Sequence, residues 1–522
     1  MSSRYTRRDF VGDTARLAVG AMIVPRHILG GPGYKPPSKT LNIACVGIGG
    51  MGMQNMKRFL DENIVAICDV DFPYVERSLA GELRPRQDGS GPSPDAVKLR
   101  DAYTKATKYA DFRQMLDKQK DIDAVIIATP DHLHAVIAMA AMQAGKHVYV
   151  QKPLTYSVYE ARLLAKTAKS TGVVTQMGNQ GHSMEGTRRI NELIASGVIG
   201  PVREAHVWTD RPVRYWAQGI PRPVSPNAPP TTPTAPPQGS APQPDGPPPP
   251  PRWNMRTVDN AVLKAMAENP QSPPQGLDWD LFLGPAKEIP YHPAYHPFSW
   301  RGWVDFGVGA IGDMGAHLID QVFWALGLTY PTSVSASSTP WGGGAQNPAT
   351  YPLATLVQYE FAARPAEGRR PAQPPVNLYW YDGGLMPPRP PFLPDEITLP
   401  RGDGGGGVFI GSKGILTYDT YGNNPKVYPE SVAKAAERVP KTFPRVEVPH
   451  EVNFAQACKG EAPASAPFDY SAMLTETMLL GIAALRAGQG KKVLYDAPNM
   501  QFTNAPDANQ YLTREYRSGW GI

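Results

Sequence analysis

Three glycines, Gly47, Gly49 and Gly52, constrain the fold of this chain more than any other feature. They have the spacing Gly-x-Gly-x-x-Gly, follow an apolar run at residues 41–46, and open a segment with a helical pattern. In an α/β fold, glycines so placed allow a tight turn, a close approach of the backbone to a diphosphate, and close helix packing, while free amides face the anion. The pattern therefore predicts a dinucleotide-binding turn, formed by Gly47, Ile48, Gly49, Gly50, Met51 and Gly52.

An acidic residue ends the next apolar run. Residues 64–68 are followed by Asp69, whose carboxylate can accept hydrogen bonds from ribose hydroxyl groups. Neither Arg nor Lys occurs at positions 70–72, and a carboxylate would repel a 2′-phosphate. The residues therefore predict NAD as the cofactor and disfavour NADP. The alternative is an ordinary glycine turn in an unrelated α/β fold.

Short apolar runs alternate with helical patterns over residues 39–178. The strand candidates are residues 41–46, 64–68, 124–128, 147–150 and 173–177, and helical patterns at 135–144 and 159–170 stand between them. This alternation predicts a Rossmann domain with a doubly wound parallel sheet, in which the polar spacer at 81–98 is a surface excursion.

The regular alternation stops near residue 179, and mixed strand and helix patterns follow. Residues 179–522 are predicted to form a larger α+β domain that binds substrate and mediates oligomerisation. Proline-rich segments at about 220–252 and 364–394 interrupt it, among the 57 prolines of the 522 residues. Because proline fixes φ and lacks an amide donor, we expect both segments to be exposed insertions.

Residues 1–38 have the layout of an export signal and tail. Arg7, Arg8 and Phe10 precede a mildly apolar stretch at 17–24, as in twin-arginine signals, whose machinery exports folded proteins. The stretch is too short to span a membrane, and the alternative is an amphipathic helix or a disordered tail. We therefore expect a periplasmic or otherwise exported protein, and a cytoplasmic one if the signal is not functional.

Composition excludes several other classes of protein. The net charge of +5 is small for this length, and no dense basic run is mixed with aromatic residues, which disfavours nucleic-acid binding. The three cysteines cannot form a disulfide framework. No window predicts a stable membrane span.

Two further strand ends carry polar motifs. Thr129, Pro130 and His134 follow one apolar run, and Gln151 and Lys152 follow the next. Here the chain resembles the Gfo/Idh/MocA family, named for glucose-fructose oxidoreductase, inositol dehydrogenase and a rhizopine-catabolism protein. The resemblance implies that the first motif lines the nicotinamide half of the site.

The resemblance also assigns a role to Lys152. A Glu-Lys-Pro motif of the family supplies a lysine that contacts cofactor and substrate, and Lys152 matches it. Gln151 stands where the family usually has Glu and carries no negative charge, whereas its amide can keep a cofactor contact. The alternative for Lys152 is a surface lysine before a turn proline.

Asp313 and His317 stand four residues apart in a helical pattern and share one helix face. The resemblance maps an Asp-x-x-x-His motif onto them, with His317 as general base and Asp313 as a substrate contact. Oxidation of an alcohol requires the hydroxyl proton to leave, and an imidazole can accept it. Alternatives are a surface pair or, with His292 and His296, part of a zinc site; we predict no metal.

Asn179, Gln180 and His182 follow the last predicted strand of the Rossmann domain. Their polar groups predict either substrate hydroxyl contacts or a hydrogen-bonded connector between domains. The resemblance further implies an open mixed sheet in the second domain and a homo-oligomer.

Together these features predict an exported oxidoreductase that transfers hydride between a secondary alcohol of a sugar, polyol or glycoside and a tightly bound nicotinamide cofactor. One alternative is an NAD-dependent glycoside hydrolase that acts by transient oxidation and elimination. Another is a non-catalytic nucleotide-binding protein.

Overall fold

The computed structural model describes residues 39–86, 89–222, 272–344, 347–400 and 404–522. The predicted export signal and most of the first proline-rich segment lie outside these residues. Two sheets organise the described part of the chain, one with six strands and one with nine. None of its helices is both long enough and apolar enough to cross a membrane.

The first sheet is entirely parallel and has the strand order β3-β2-β1-β4-β5-β6. Its order reverses between β1 and β4, and such a switch point opens a crevice at the strand carboxyl ends. The predicted Rossmann fold is confirmed. Its elements are β1 Asn42–Val46, α1 Met51–Arg58, β2 Asn63–Cys68, α2 Phe72–Glu82, α3 Pro94–Lys105, β3 Thr107–Tyr109, α4 Phe112–Lys118, β4 Ala124–Ile127, α5 His134–Gln143, β5 His147–Gln151, α6 Val158–Thr171 and β6 Thr175–Gly178.

Two elements of this region escape the sequence pattern. The edge strand β3 is three residues long and polar, so it presents no apolar run. Helix α3 occupies the end of the predicted surface excursion at 81–98, which is therefore wrong in part. The helix begins there because the Ser93 hydroxyl accepts a hydrogen bond from the Ala96 amide and Pro94 takes the first helical position.

The second sheet is mixed, in the order β13-β12-β11-β7-β10-β9-β8-β14-β15, with β7 and β10 parallel and the other pairs antiparallel. The predicted α+β region with a mixed sheet is confirmed. Its elements are α7 Glu185–Ala195, β7 Val202–Trp208, α8 Trp279–Leu283, α9 Gly309–Leu326, β8 Ser333–Ser338, β9 Thr355–Phe361, β10 Val376–Tyr381, β11 Gly406–Gly411, β12 Ile415–Asp419, β13 Asn423–Tyr428, α10 Glu430–Ala436, α11 His450–Cys458, α12 Phe468–Ala487, β14 Val493–Asp496 and β15 Gln501–Phe502.

The second proline-rich segment, 364–394, is not a simple insertion. Its centre forms β10, which lies between β7 and β9 in the interior of the sheet. Val376, Leu378 and Trp380 alternate inward with period two, while the prolines stand on either side of the strand. The composition of the segment thus reflects its flanks and hides a central strand.

Helix α9 carries the Asp313 and His317 pair through the middle of the molecule. Apart from Asp313 and Trp324, its residues are buried, and the helix ends at Gly327 in the left-handed conformation (φ +60°). One continuous apolar core joins it to both sheets and to α12. The position of the pair is therefore fixed by packing on several sides.

Candidate active site

The glycine turn stands at the crevice between β1 and β4. Gly47 has φ +77°, and a Cβ on it would lie 2.8 Å from the Thr129 backbone nitrogen. A Cβ on Gly52 would meet the Gly47 carbonyl oxygen at 2.0 Å, so the third glycine lets α1 begin against the turn. Gly50 has no atom within 4 Å of that position and borders open space.

Gly49 has a second role besides lining the cleft. A Cβ there would lie 2.4 Å from the Tyr74 ring, so this glycine makes room for an aromatic side chain of the chain itself. Ile48 is fully buried below the turn, whereas Gly47, Gly49, Gly50 and Met51 line the cleft.

Asp69 lies at the end of β2, as predicted, and lines the same cleft. Its carboxylate accepts hydrogen bonds from the Ile48 amide at 2.7 Å and the Asp71 amide at 2.9 Å. Burial raises the pKa of Asp69 to about 6, although these amides and His296 oppose the shift. Asp69 therefore also anchors the glycine turn.

The residues after β4 separate into two groups. Thr129, Pro130 and Asp131 line the cleft, and the Thr129 hydroxyl is buried without a hydrogen-bond partner among the described residues. His134 is buried and is not among the residues that line the cleft, so its cofactor contact stays a prediction. Its ring nitrogens lie 2.8 and 2.9 Å from the carbonyl oxygens of Pro153 and Thr129, and so join the two strand-end turns.

Lys152 reaches across the cleft from β5 to α9. Its Nζ donates to Oδ1 and to the backbone oxygen of Asp313, both at 2.7 Å. Two arginines also approach the carboxylate: Arg301 Nε lies 3.4 Å from Oδ1, and Arg211 Nε lies 3.6 Å from Oδ2. Burial alone would raise the pKa of Asp313, but the surrounding cations hold it well below its usual range.

His317 lies one helical turn beyond Asp313 and deeper in the molecule. Only 3% of it is exposed, and its Nδ1 has no hydrogen-bond partner among the described residues. Burial and the Lys152 charge hold the pKa of His317 well below its usual value, so the ring is neutral. The Tyr421 ring meets it edge-on, with centroids 4.7 Å apart.

Gln151 continues into a buried polar chain. Its Nε2 donates to Asn55 Oδ1 at 2.8 Å, and Asn55 Nδ2 donates to Glu451 Oε1 at 3.0 Å. Gln151 lines the cleft, whereas the Glu451 carboxylate lies two residues away along this chain of hydrogen bonds. A glutamate at 151 could not donate to Asn55, which gives a physical reason for glutamine here.

The three polar residues after β6 differ in their surroundings. His182 is buried, stacks on Trp324 with centroids 4.2 Å apart, and places Nδ1 3.0 Å from both Asp320 carboxylate oxygens. This arrangement favours the connector interpretation for His182. Asn179 is fully buried, and neither side-chain amide atom has a partner among the described residues, whereas Gln180 is half-buried.

Segments distant in sequence complete the cleft. Asp71 pairs with Leu277 in an isolated β-bridge, and the Asp71 carboxylate lies 2.8 Å from His296 Nε2. His296, Phe298, Trp300 and Trp520 supply aromatic walls. Among the described residues no group of three or more His, Cys, Asp or Glu could hold a metal ion, and His296 is engaged by Asp71 instead.

Several residues in or beside the cleft were missed by sequence reasoning. Arg211 and Arg301 belong to no motif, and only the fold brings them to Asp313. Asp131, directly after Pro130, also lines the cleft; its carboxylate accepts a hydrogen bond from the Val308 amide at 3.0 Å, just before α9.

The cleft suits a dinucleotide. The glycine turn leaves Gly50 open, the carboxylate of Asp69 stands at the end of β2, and Thr129 offers an unpartnered hydroxyl. These features match the requirements of a diphosphate, a ribose and a polar headgroup, respectively.

Comparisons with known proteins agree with this geometry. A family model described as oxidoreductase family, NAD-binding Rossmann fold, matches residues 41–179, and its companion, the C-terminal alpha/beta domain, matches residues 259–343. Inositol 2-dehydrogenase of Salmonella typhimurium is 26% identical over 172 residues, covering 32% of this chain and 45% of that protein. Glycosyl hydrolase family 109 protein 1 of Shewanella sp. (strain ANA-3) is 27% identical over 169 residues, covering 32% and 34%.

The chain thus spans less than half the length of these curated relatives in each match. Among solved structures, the WlbA dehydrogenase of Bordetella pertussis, in complex with NADH and UDP-GlcNAcA, has a TM-score of 0.50 at 14% identity, covering 88% of this chain and 99% of that one. At this identity the likeness concerns the fold. The two family models, the parallel sheet and the glycine turn agree: residues 41–179 are an NAD-binding Rossmann domain, and the chain belongs to the Gfo/Idh/MocA family of oxidoreductases.

Proposed function

We propose that this protein oxidises a secondary alcohol of a sugar, polyol or glycoside with NAD that stays bound between turnovers. The observation that carries the proposal is the pair of Lys152 Nζ and Asp313 Oδ1, 2.7 Å apart, in the same cleft as the glycine turn. Gly47, Gly49, Gly50 and Asp69 would hold the diphosphate and ribose, with Thr129 and Pro130 beside the ring. When bound, NAD supplies the hydride acceptor.

The proton of the alcohol needs a base, and we assign this role to His317. Its ring is neutral and its Nδ1 has no partner among the described residues, so it can accept a proton. Lys152 can donate a hydrogen bond to the developing alkoxide and stabilise its charge. Asp313 orients the Lys152 ammonium group, and Tyr421 borders the base.

The aromatic walls support a sugar or polyol as substrate. Phe298 and Trp300 line the cleft near Arg301, and flat apolar faces of this kind pack against the C–H faces of sugar rings. The inositol 2-dehydrogenase relatives support the same class of substrate.

Variants of two residues test the assignment. Lys152→Ala and His317→Ala should lower kcat for sugar oxidation by about 10²–10⁴-fold, the range for a lost acid or base group, while NAD still binds. Turnover like that of the wild type in both variants would overturn the roles. Exposed Lys434→Ala on α10 serves as the matched control.

In this proposal an exported enzyme must retain its cofactor, because free NAD is not expected outside the cytoplasm. Arg7 and Arg8 support a twin-arginine route for a protein that folds around its cofactor first and then recycles it by oxidising one substrate and reducing another. Mass spectrometry of small molecules released by denaturing exported protein should detect a nicotinamide dinucleotide. Exported protein that is active yet releases none would contradict the retention.

A second function is favoured by the glycosyl hydrolase family 109 relatives. Transient oxidation of a glycoside would acidify a neighbouring C–H group and permit elimination of the glycosidic substituent, without net reduction of NAD. A panel of glycosides separates the two functions. A released aglycone indicates the hydrolase, and a keto-sugar with its linkage intact indicates the dehydrogenase.

A further inference from the structure

Three cationic side chains converge on one carboxylate in the cleft. Lys152 Nζ makes the short contact with Asp313, at 2.7 Å, whereas the Nε atoms of Arg301 and Arg211 lie 3.4 and 3.6 Å away. A hydrogen bond from nitrogen to oxygen normally spans about 2.7–3.2 Å. Asp313 is therefore satisfied by the lysine and leaves both arginines with incompletely used donors.

Two other described carboxylates offset this charge only in part. Asp131 lines the cleft, but burial raises its pKa to about 7, so it carries only part of a charge at neutral pH. Asp210 accepts from Arg211 at 2.7 Å, but its side chain is 47% exposed, and water screens that pair. The inner part of the cleft holds an excess of positive charge, which is costly to bury without an anion.

Aromatic rings hold both arginines in place. The Arg301 guanidinium carbon lies 4.3 Å from the centre of a Trp300 ring and 4.4 Å from that of Phe298. The Arg211 guanidinium carbon lies 3.3 Å from the centre of the Tyr215 ring. Stacking uses the face of a guanidinium group and leaves its N–H edge for an acceptor in the plane, a geometry that suits oxyanions.

We propose that the substrate is an anionic sugar, whose carboxylate or phosphate binds Arg211 and Arg301 while the reacting hydroxyl binds at Lys152. The proposal rests on the proposed function and narrows its substrate class. A neutral sugar would leave part of the positive charge of Lys152, Arg211 and Arg301 without an opposing anion, because Asp313 is shared by all three cations. Preference among sugars is therefore set by charge as much as by ring shape.

The experiment compares matched pairs of sugars on the wild-type holoenzyme. Glucuronate and galacturonate are tested against their methyl esters, which keep the shape and lose the charge, and glucose 6-phosphate against glucose. We expect kcat/KM for the anionic member to exceed that of its partner by at least about tenfold, one lost charged contact. The uronates and the phosphate sugar distinguish a carboxylate from a phosphate as the recognised group.

Arg211→Gln and Arg301→Gln should each reduce the ratio of anionic to neutral kcat/KM by about tenfold, whereas Arg100→Gln, an exposed arginine on α3, should leave the ratio unchanged. Equal kcat/KM within each pair, or a ratio unaffected by both arginine variants, overturns the proposal.

Calorimetric titration separates the two proposals. Uronate binding that depends on the arginines, without turnover of any sugar, keeps the anion site and refutes the proposed function. Oxidation of neutral sugars without preference for the anions keeps the proposed function and refutes the anion site. An absence of binding by every anion refutes the anion site.

Discussion

At the residue scale, the pKa values of two carboxyl groups in one cleft, those of Asp131 and Asp313, are shifted in opposite directions. Burial dominates at Asp131 and raises its pKa to about 7, against the lowering influence of Arg301 and Lys152. At Asp313 the burial penalty is outweighed by the contact with Lys152 and the nearby arginines, and the pKa falls well below its usual range. At neutral pH Asp313 is therefore ionised, whereas Asp131 is present in both its protonated and its ionised form.

Asp131→Asn is predicted to flatten the pH dependence of both activity and stability. Folding raises the pKa of Asp131, so its contribution to stability is fully present below about pH 4 and is lost as the pH rises through about 7. Asparagine cannot titrate but can still accept the Val308 hydrogen bond. The free energy of unfolding should therefore change less between pH 5 and pH 8 in the variant, and kcat/KM should lose an ionisation near pH 7.

Urea unfolding at the two pH values and a pH–rate profile provide the measurements. Asp395→Asn, at a fully exposed position, is the control. The same pH slope in Asp131→Asn as in the wild type would show that the carboxyl group does not titrate in this range.

The residues that sequence reasoning identified share a local signal. Lys152 and Asp313 each belong to a short motif, and the structure brings them together. Arg211 and Arg301 have no such motif, because their role arises from the approach of distant segments. His134 has the expected position after β4, but its direction into the protein interior follows from packing that the spacing of residues does not encode.

At the scale of elements, only strands whose own residues carry a clear apolar pattern were predicted. Strands that are buried on both faces, such as β4, consist of continuous apolar residues and can be recognised in the sequence. Strand β10 is hidden by flanking prolines, and β3 by its polar edge position. Helix and strand assignments thus succeeded where burial alone dictates the residues.

Gly47→Ala is predicted to destabilise the turn between β1 and α1 far more than Gly145→Ala destabilises the end of α5. Both glycines have positive φ, +77° and +72°, so alanine is strained in each. Only at Gly47 does the added Cβ also meet backbone, 2.8 Å from the Thr129 nitrogen, whereas nothing lies within 4 Å at Gly145.

Alanine should cost about 1 kcal/mol at Gly145 and more than about 2 kcal/mol at Gly47. Denaturant unfolding measures the difference, and calorimetry with NAD should show weakened binding for Gly47→Ala alone. Equal losses of stability would mean that the turn yields easily to a side chain.

For the whole molecule, one buried ion pair links the Rossmann sheet to the second region. Arg162 on α6 donates to both carboxylate oxygens of Glu476 on α12, at 2.7 and 2.6 Å, and the Tyr495 hydroxyl donates to Oε1 at 2.6 Å. Only 1% of the Glu476 side chain is exposed, so these donors supply the hydrogen bonds that water would otherwise make to it.

Arg162→Met is predicted to lower the free energy of unfolding by up to about 3 kcal/mol, because it leaves a buried carboxylate poorly compensated. The value is at the lower end for such pairs since 26% of the arginine side chain is exposed. Lys434→Met, from an exposed pair with Glu430, should cost less than about 1 kcal/mol. Comparable losses from the two substitutions in thermal unfolding would show that the link contributes no more than a surface pair.

The cleft walls contributed by His296 and Trp520 set an order of events during synthesis. Translation delivers the glycine turn early and these aromatic walls much later, with Trp520 lining the same space as Gly47. A nascent chain that has folded only its first sheet lacks these aromatic walls, so we expect the nucleotide to dissociate from it more readily. Stable loading of the coenzyme is therefore expected only after Trp520 has left the ribosome and folded against the first sheet.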